Sequence, residues 1–145
     1  MSDLKLIALD TEDLDVVSAT TQDAIVRVGD MAFARGDRRF ALMMNRFAWE
    51  HADGRARGQP GVRKRAALHF DHVTGVRAAG FDLSAQEGVL ELLSIRFTEA
   101  VAPGGHIDLV FAGGAAIRLD VEVLEARLQD LGAAWAARLK PEHVG

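Results

Sequence analysis

The chain has 145 residues, 49% hydrophobic and 26% charged, which is enough apolar material for one packed domain over residues 1–145. It contains no cysteine, which excludes disulfide bonds and cysteine-ligated metal sites. Its net charge of −4 argues against nucleic acid as a partner, because nucleic-acid-binding domains are usually strongly basic overall.

The N-terminal segment lacks the pattern of an export signal. It carries Asp3 and Asp10 and has no apolar stretch of signal-peptide length. No run elsewhere approaches the roughly 20 apolar residues that span a bilayer. We therefore expect a cytoplasmic protein without a membrane partner.

The first half of the chain predicts one helix among strands. Asp10 and Thr11 provide an N-cap signal, and apolar side chains then follow at spacings of three and four. This pattern predicts a helix over residues 11–23. Alternating apolar side chains, which are typical of strands, cover residues 4–9, 25–35, 38–49 and 64–74. A bulge is expected in the second of these strands at Gly29-Asp30.

The second half predicts a hairpin and a closing helix. Gly113-Gly114 is a tight-turn pair between two alternating runs. A stripe that includes Leu128 and Trp135 predicts a C-terminal helix over residues 123–139, which Pro141 ends. The predicted strands of this half cover residues 89–98, 106–112 and 115–122.

These elements predict an α+β fold. About seven strands with mostly hairpin-like connections indicate a mainly antiparallel, strongly curved sheet or small barrel. The early helix and a C-terminal covering helix complete the expected architecture. The inventory is similar to a pleckstrin-homology-like barrel, although the early helix is not part of that pattern. Such a similarity of fold implies no function.

Positive charge is concentrated in the segment RARGQPGVRKR, residues 55–65. Its glycines and proline favour a flexible, solvated hairpin connection. The alternative is an anion-binding or nucleic-acid-binding stretch, for which Trp49 is the only nearby aromatic ring that could stack on a base. The residues of this anion-binding hypothesis are Arg55, Arg57, Arg63, Lys64 and Arg65.

The two strands that flank this segment predict an apolar outer face. When their inward faces are matched, Trp49 lies opposite Arg65, where the two side chains could form a cation–π pair. The outer face is then more apolar than a solvated face should be. Either the early helix covers it or a partner does. The residues of the predicted partner interface are Met43, Phe47 and Trp49.

His69 and Asp71 share one face of the fourth predicted strand. They could supply two ligands of a metal site if His51 or His106 supplied a third. The simpler interpretation is that they are polar residues on a solvated face. The chain has neither a nucleophile-elbow motif nor a phosphate-binding loop. We therefore assign no catalytic residue, no metal ligand and no cofactor.

Several segments together carry a family resemblance. They are LKLIALDTEDLDVVSATTQDAIVRVGDMAF, RRFALMMNRFAWE, RAALHFDHVTGVRA, ELLSIRF and FAGGAAIRLDVEVLEARLQDLG. They resemble an uncharacterised bacterial family, domain-of-unknown-function family twenty-nine forty-eight, over nearly the whole chain. The resemblance implies a small bacterial protein and brings no activity and no site residues with it.

The leading hypothesis from the sequence is a non-enzymatic cytoplasmic binding or assembly module. Its partner is another protein or a second copy of the chain, and the apolar outer face is the contact. One alternative is an anion or nucleic-acid binder that uses residues 55–65. Another is a metal-dependent enzyme centred on His69 and Asp71.

Overall fold

The computed structural model describes residues 4–48 and 63–132. Within these ranges the chain forms one α-helix, α1 (Thr11–Thr20), and nine strands that join in a single antiparallel sheet. The strands are β1 (Lys5–Ala8), β2 (Ile25–Ala34), β3 (Arg39–Phe47), β4 (Arg63–Phe70), β5 (Val73–Ala79), β6 (Val89–Glu99), β7 (Gly105–Phe111), β8 (Ala116–Val121) and β9 (Ala126–Asp130).

The sheet is strongly curved because of one short connection. Its strand order is β1-β9-β4-β3-β2-β6-β7-β8-β5, so a flat sheet would separate β4 from β5 by roughly 30 Å. Only Asp71 and His72 join these two strands, and such a link spans at most about 11 Å. The sheet must therefore curl until its two halves face each other. It is not closed into a barrel, because β1 and β5 remain its edges.

Helix α1 packs on the inner side of the curved sheet, against β6 and β1. The Asp10 side chain caps its N-terminus by accepting a hydrogen bond from the Asp13 amide at 2.8 Å. Leu14 and Val17 are buried, and the Ser18 hydroxyl accepts a hydrogen bond from the Ile95 amide at 2.9 Å. In the described part of the chain, no helix is long and apolar enough to cross a bilayer.

The core fills the space between the curved sheet and α1. Strand β3 contributes Phe40, Leu42 and Met44 from alternating positions, and burying each such side chain contributes about 1.5–3 kcal/mol. Other large apolar side chains that are fully buried in this core are Leu14, Leu68, Phe70, Leu92, Ile95, Ile107, Leu109 and Phe111.

A buried ion pair links β3 to β9 across β4. The Arg46 guanidinium donates two hydrogen bonds to the two carboxylate oxygens of Asp130, both at 2.8 Å, and both side chains are essentially inaccessible to solvent. Ala66 of β4 pairs with Asp130, and its small side chain leaves room for the two charged groups to meet. The Leu4 amide donates to the same carboxylate at 3.1 Å, which fixes the start of β1.

The α+β, mainly antiparallel character is confirmed, and so is the bulge of β2, where the register shifts between Val26 and Met31. Of the two expected shapes, the small pleckstrin-homology-like barrel is not confirmed, because the sheet is not closed, and it has nine strands instead of about seven. One of the extra strands arises where the predicted strand 64–74 ends at Phe70 and a new one begins at Val73.

The predicted C-terminal helix is also wrong where the structure describes it. Residues 126–130 form β9, in which Ala126, Leu128 and Asp130 point inward and the residues between them point outward. A spacing of four fits a strand as well as a helix, because four is a multiple of the strand period of two. Residues 133–139 of the predicted helix lie outside the described residues.

The predicted register of β3 and β4 needs correction as well. Arg65 lies opposite Asn45, so it does not pair with Trp49, which lies outside the described residues. A cation–π contact between described residues of these two strands joins Arg63 and Phe47, with the Arg63 guanidinium 5.8 Å from the centre of the Phe47 ring.

Removal of one partner of the buried pair should be strongly destabilising. We expect Arg46→Leu to lower the free energy of unfolding by about 3–5 kcal/mol, because it leaves the Asp130 carboxylate uncompensated in the core. Urea denaturation measures this change. The matched control is Arg118→Leu, which breaks the exposed pair with Asp108 and should have a far smaller effect. Equal losses in the two variants would show that the buried pair has no special role.

The same pair should make stability depend on acidic pH. Desolvation by itself raises the pKa of Asp130, but the Arg46 and Leu4 hydrogen bonds and the Arg46 charge outweigh it and lower this pKa below its usual 3.8. The unfolded chain therefore takes up this proton at higher pH than the native protein does. The stabilisation is present above pH 3.8 and is lost as pH falls through the native pKa.

Urea denaturation from about pH 5 downward measures this loss. The comparison is the Arg46→Met, Asp130→Leu double variant, which lacks the titrating group. We expect the parent protein to lose stability relative to the double variant as pH falls, because only the parent carries the titrating carboxylate. A constant difference across the acidic range would contradict the prediction.

Candidate partner-binding groove

The outer face of β1, β9, β4 and β3 carries two aligned rows of side chains. Each row crosses all four strands, because the residues of a row are direct partners in the sheet. The first row is Lys5, Gln129, Ala67 and Met43, and the second is Ile7, Arg127, His69 and Ala41. Side chains from distant parts of the chain therefore stand side by side.

A groove of about 460 Å³ lies over these rows. Ala67 forms its low centre, since a methyl group reaches least far from the sheet. Ile7, Met43 and Leu131 supply apolar lining, and Ile7 is 52% exposed. The polar side chains of the lining are Lys5, His69, Arg127 and Gln129, and no carboxylate is among the lining residues. The volume lies within the usual range of ligand sites.

One end of the groove is bordered by a cluster of charged groups around Asp71. The Asp71 carboxylate accepts a hydrogen bond from the Arg39 Nε at 2.7 Å. Its other oxygen lies 3.5 Å from the His69 Nδ1, which is buried and makes no hydrogen bond. Burial lowers the pKa of His69 below 6.5, although the Asp71 charge acts in the opposite direction. His69 is therefore neutral at pH 7.

A second carboxylate in this cluster is also occupied by partners. Glu125 Oε1 lies 3.0 Å from His72 Nε2, and Glu125 Oε2 accepts hydrogen bonds from the Arg127 guanidinium. The hydrogen bond with His72 is the largest cause of the lowered pKa of Glu125. The acidic groups beside the groove are thus neutralised within the chain.

The described residues give the metal hypothesis no further ligand. Across residues 4–48 and 63–132, no group of three or more histidine, aspartate or glutamate side chains is arranged to hold a metal ion. His106 lies on β7 and so does not join His69 and Asp71 in such a group. His51 lies outside the described residues.

The predicted interface residues are only partly brought together. Met43 lines the groove, whereas Phe47, on the same face of β3, lies under the Arg63 guanidinium. Trp49 lies outside the described residues. The groove also contains residues that the sequence analysis did not identify, namely Lys5, Ile7, Arg127 and Gln129. Two of them lie in ARLQD, where alternation over four residues is only a weak strand signal and the inward-facing Asp130 obscures it.

The predicted anion-binding residues do not share one face. Arg63 donates hydrogen bonds to the Asp23 and Asn45 carbonyls, and Arg65 forms an ion pair with Asp30 at 3.1 Å. Lys64 lies between them on β4 and so points to the opposite face. Arg55 and Arg57 lie outside the described residues.

We expect NMR titration to give His69 a pKa below 6.5, because the ring is desolvated. Asp71→Asn should lower it further, since it removes the carboxylate that favours the charged ring. In the parent protein, the lowered pKa of His69 makes the free energy of unfolding depend on pH. Its contribution to stability is fully present above pH 6.5 and is lost as pH falls towards the native pKa. A pKa at or above 6.5 in the parent protein, or an increase in Asp71→Asn, would contradict this assignment.

The helix, all nine strands and the groove lie within a region that is similar to a known family. Comparisons with curated proteins and with solved structures found no match for the chain. The model of the family described as Protein of unknown function (DUF2948) matches residues 4–143, as the resemblance of the sequence segments predicts. The chain therefore belongs to the DUF2948 family.

Proposed function

We propose that the protein is a bacterial, cytoplasmic and non-enzymatic binding module that engages a protein partner through the groove over β1, β9, β4 and β3. The observation that carries the proposal is the concave apolar surface formed by Ile7, Met43 and Leu131 around Ala67. Burial of such side chains against a partner is favourable, because it removes apolar area from water.

The core that residues 4–48 and 63–132 form does not include this surface. The sheet packs its large apolar side chains on the inner face, and α1 joins them there through Leu14 and Val17. Helix α1 therefore does not cover the outer face, which was one of the two possibilities that the sequence left open. An apolar surface that lies outside the core of the described residues is typical of an interaction site.

The shape of the groove suits the insertion of an anchoring side chain. Ala67 leaves a depression between taller neighbours, with Met43 on one side and Gln129 on the other. Interfaces commonly depend on a few side chains that fill such depressions near their centre. We therefore place the anchor of the partner over Ala67.

Site-specific photocrosslinking tests the proposal. We expect a benzophenone side chain at position 7 to form a discrete adduct in cells. The same group at position 101 should not, although Val101 is 85% exposed. The partner in the adduct, once purified, should bind the parent protein. Met43→Glu should weaken that binding by about tenfold, or about 1.4 kcal/mol, and Val101→Glu should leave it unchanged.

Two results would contradict the proposed partner. An adduct between two copies of the chain, with a dimer in light scattering that Met43→Glu dissociates, would assign the groove to self-association. Equal labelling from positions 7 and 101, or binding that Met43→Glu does not weaken, would show that the groove is not the contact.

A further inference from the structure

The groove is not electrically neutral. Its lining contains the cationic side chains of Lys5 and Arg127 and no aspartate or glutamate, although acidic residues outnumber basic ones in the whole chain. A partner surface that carries negative charge would be attracted to this lining, and one that carries positive charge would be repelled.

The two cations differ in what they already bind. Arg127 is engaged with Glu125 Oε2 at 3.1 Å. Within the part of the chain that the structure describes, Lys5 forms no ion pair and the Gln129 side-chain amide forms no hydrogen bond. These two residues are direct partners across β1 and β9. They therefore present an ammonium group and an amide group, both free to donate, at the same place.

The first row changes in character as it crosses the sheet. Lys5 and Gln129 stand on the edge strand β1 and its neighbour β9, whereas Ala67 and Met43 each stand two strands further in. Two strand spacings amount to about 10 Å. The row thus offers a hydrogen-bonding, cationic end and an apolar end at a defined separation.

We propose that the groove recognises an acidic residue of a protein partner, with Lys5 and Gln129 donating to its carboxylate and an apolar side chain of the same segment resting over Ala67 and Met43. This inference rests on the proposed function and specifies its partner chemistry. On a helix, residues seven apart lie on the same face about 10 Å from each other. A helical segment with an acidic and an apolar residue at that spacing fits the row.

Three capped alanine- and glutamine-based helical peptides provide the probes. All carry leucine, and seven residues away they carry glutamate, glutamine or lysine. In NMR titrations of the full chain, we expect the glutamate peptide to shift the resonances of Lys5, Gln129, Ala67 and Met43. Its dissociation constant should be about fivefold lower than that of the glutamine peptide, as one exposed ion pair allows. The lysine peptide should bind most weakly.

Lys5→Met tests the proposed donor. It keeps an unbranched side chain and removes the charge, so it should abolish the preference for glutamate over glutamine while leucine still binds. The matched control is Arg96→Met, which removes an exposed charge from β6 and should keep the preference. Added salt should weaken the preference in the parent protein.

The outcomes separate the inference from the proposed function. Equal affinity for the glutamate and glutamine peptides, with shifts still in the groove, would overturn carboxylate recognition and leave the binding surface. If none of the peptides shifts the groove resonances, the inference is overturned as well. The photocrosslinking experiment then tests the proposed function independently.

If octanoate binds more tightly than the glutamate peptide, the carboxylate that the groove recognises belongs to a lipid and not to a protein. Nuclear Overhauser contacts between Met43 and Trp135 in the free protein would assign the groove to residues 133–145.

Discussion

The bidentate contact between Arg46 and Asp130 determines how one half of the sheet is assembled. A charge in the core is tolerated only when its partner is placed to satisfy it, and a single unpaired charge is expensive. A slip of β9 along β4 would separate the two groups, so the pair selects one register. The Asp130 carboxylate also holds the Leu4 amide, which places β1. The rows of the outer face follow, because the register of β1 and β9 aligns Lys5 with Gln129.

The short link after β4 imposes the second constraint. Asp71 and His72 must carry the chain from β4, the third of the nine strands, to β5 at the far edge, which forces the curvature. His72 adopts φ 61°, a left-handed conformation that such a sharp reversal requires of it. Its side chain contacts Glu125, and the backbone of Asp71 donates to the Glu125 carbonyl. The link that bends the sheet is therefore also bound to the residue before β9.

Local features of this fold could be predicted from the sequence. The N-cap Asp10 identified α1, and Gly113-Gly114 identified the turn between β7 and β8, where both glycines have positive φ. These signals depend on a few neighbouring residues. Strand β9 could not be recognised in this way, because its inward-facing aspartate resembles a solvated position until its partner is known. That partner is 84 residues away in the chain, and no local pattern encodes such a pairing.

The groove illustrates why a face is easier to predict than a site. Alternation assigns each side chain of a strand to a face, and a register error of an even number of residues leaves that assignment intact. Met43 and Phe47 were therefore expected on the outer face, where they lie, although Arg65 stands opposite Asn45 instead of Trp49. The neighbours across the strands depend on the register itself. Because β1 and β9 supply the polar end of the groove, its chemistry emerges only once the buried ion pair has brought those strands together.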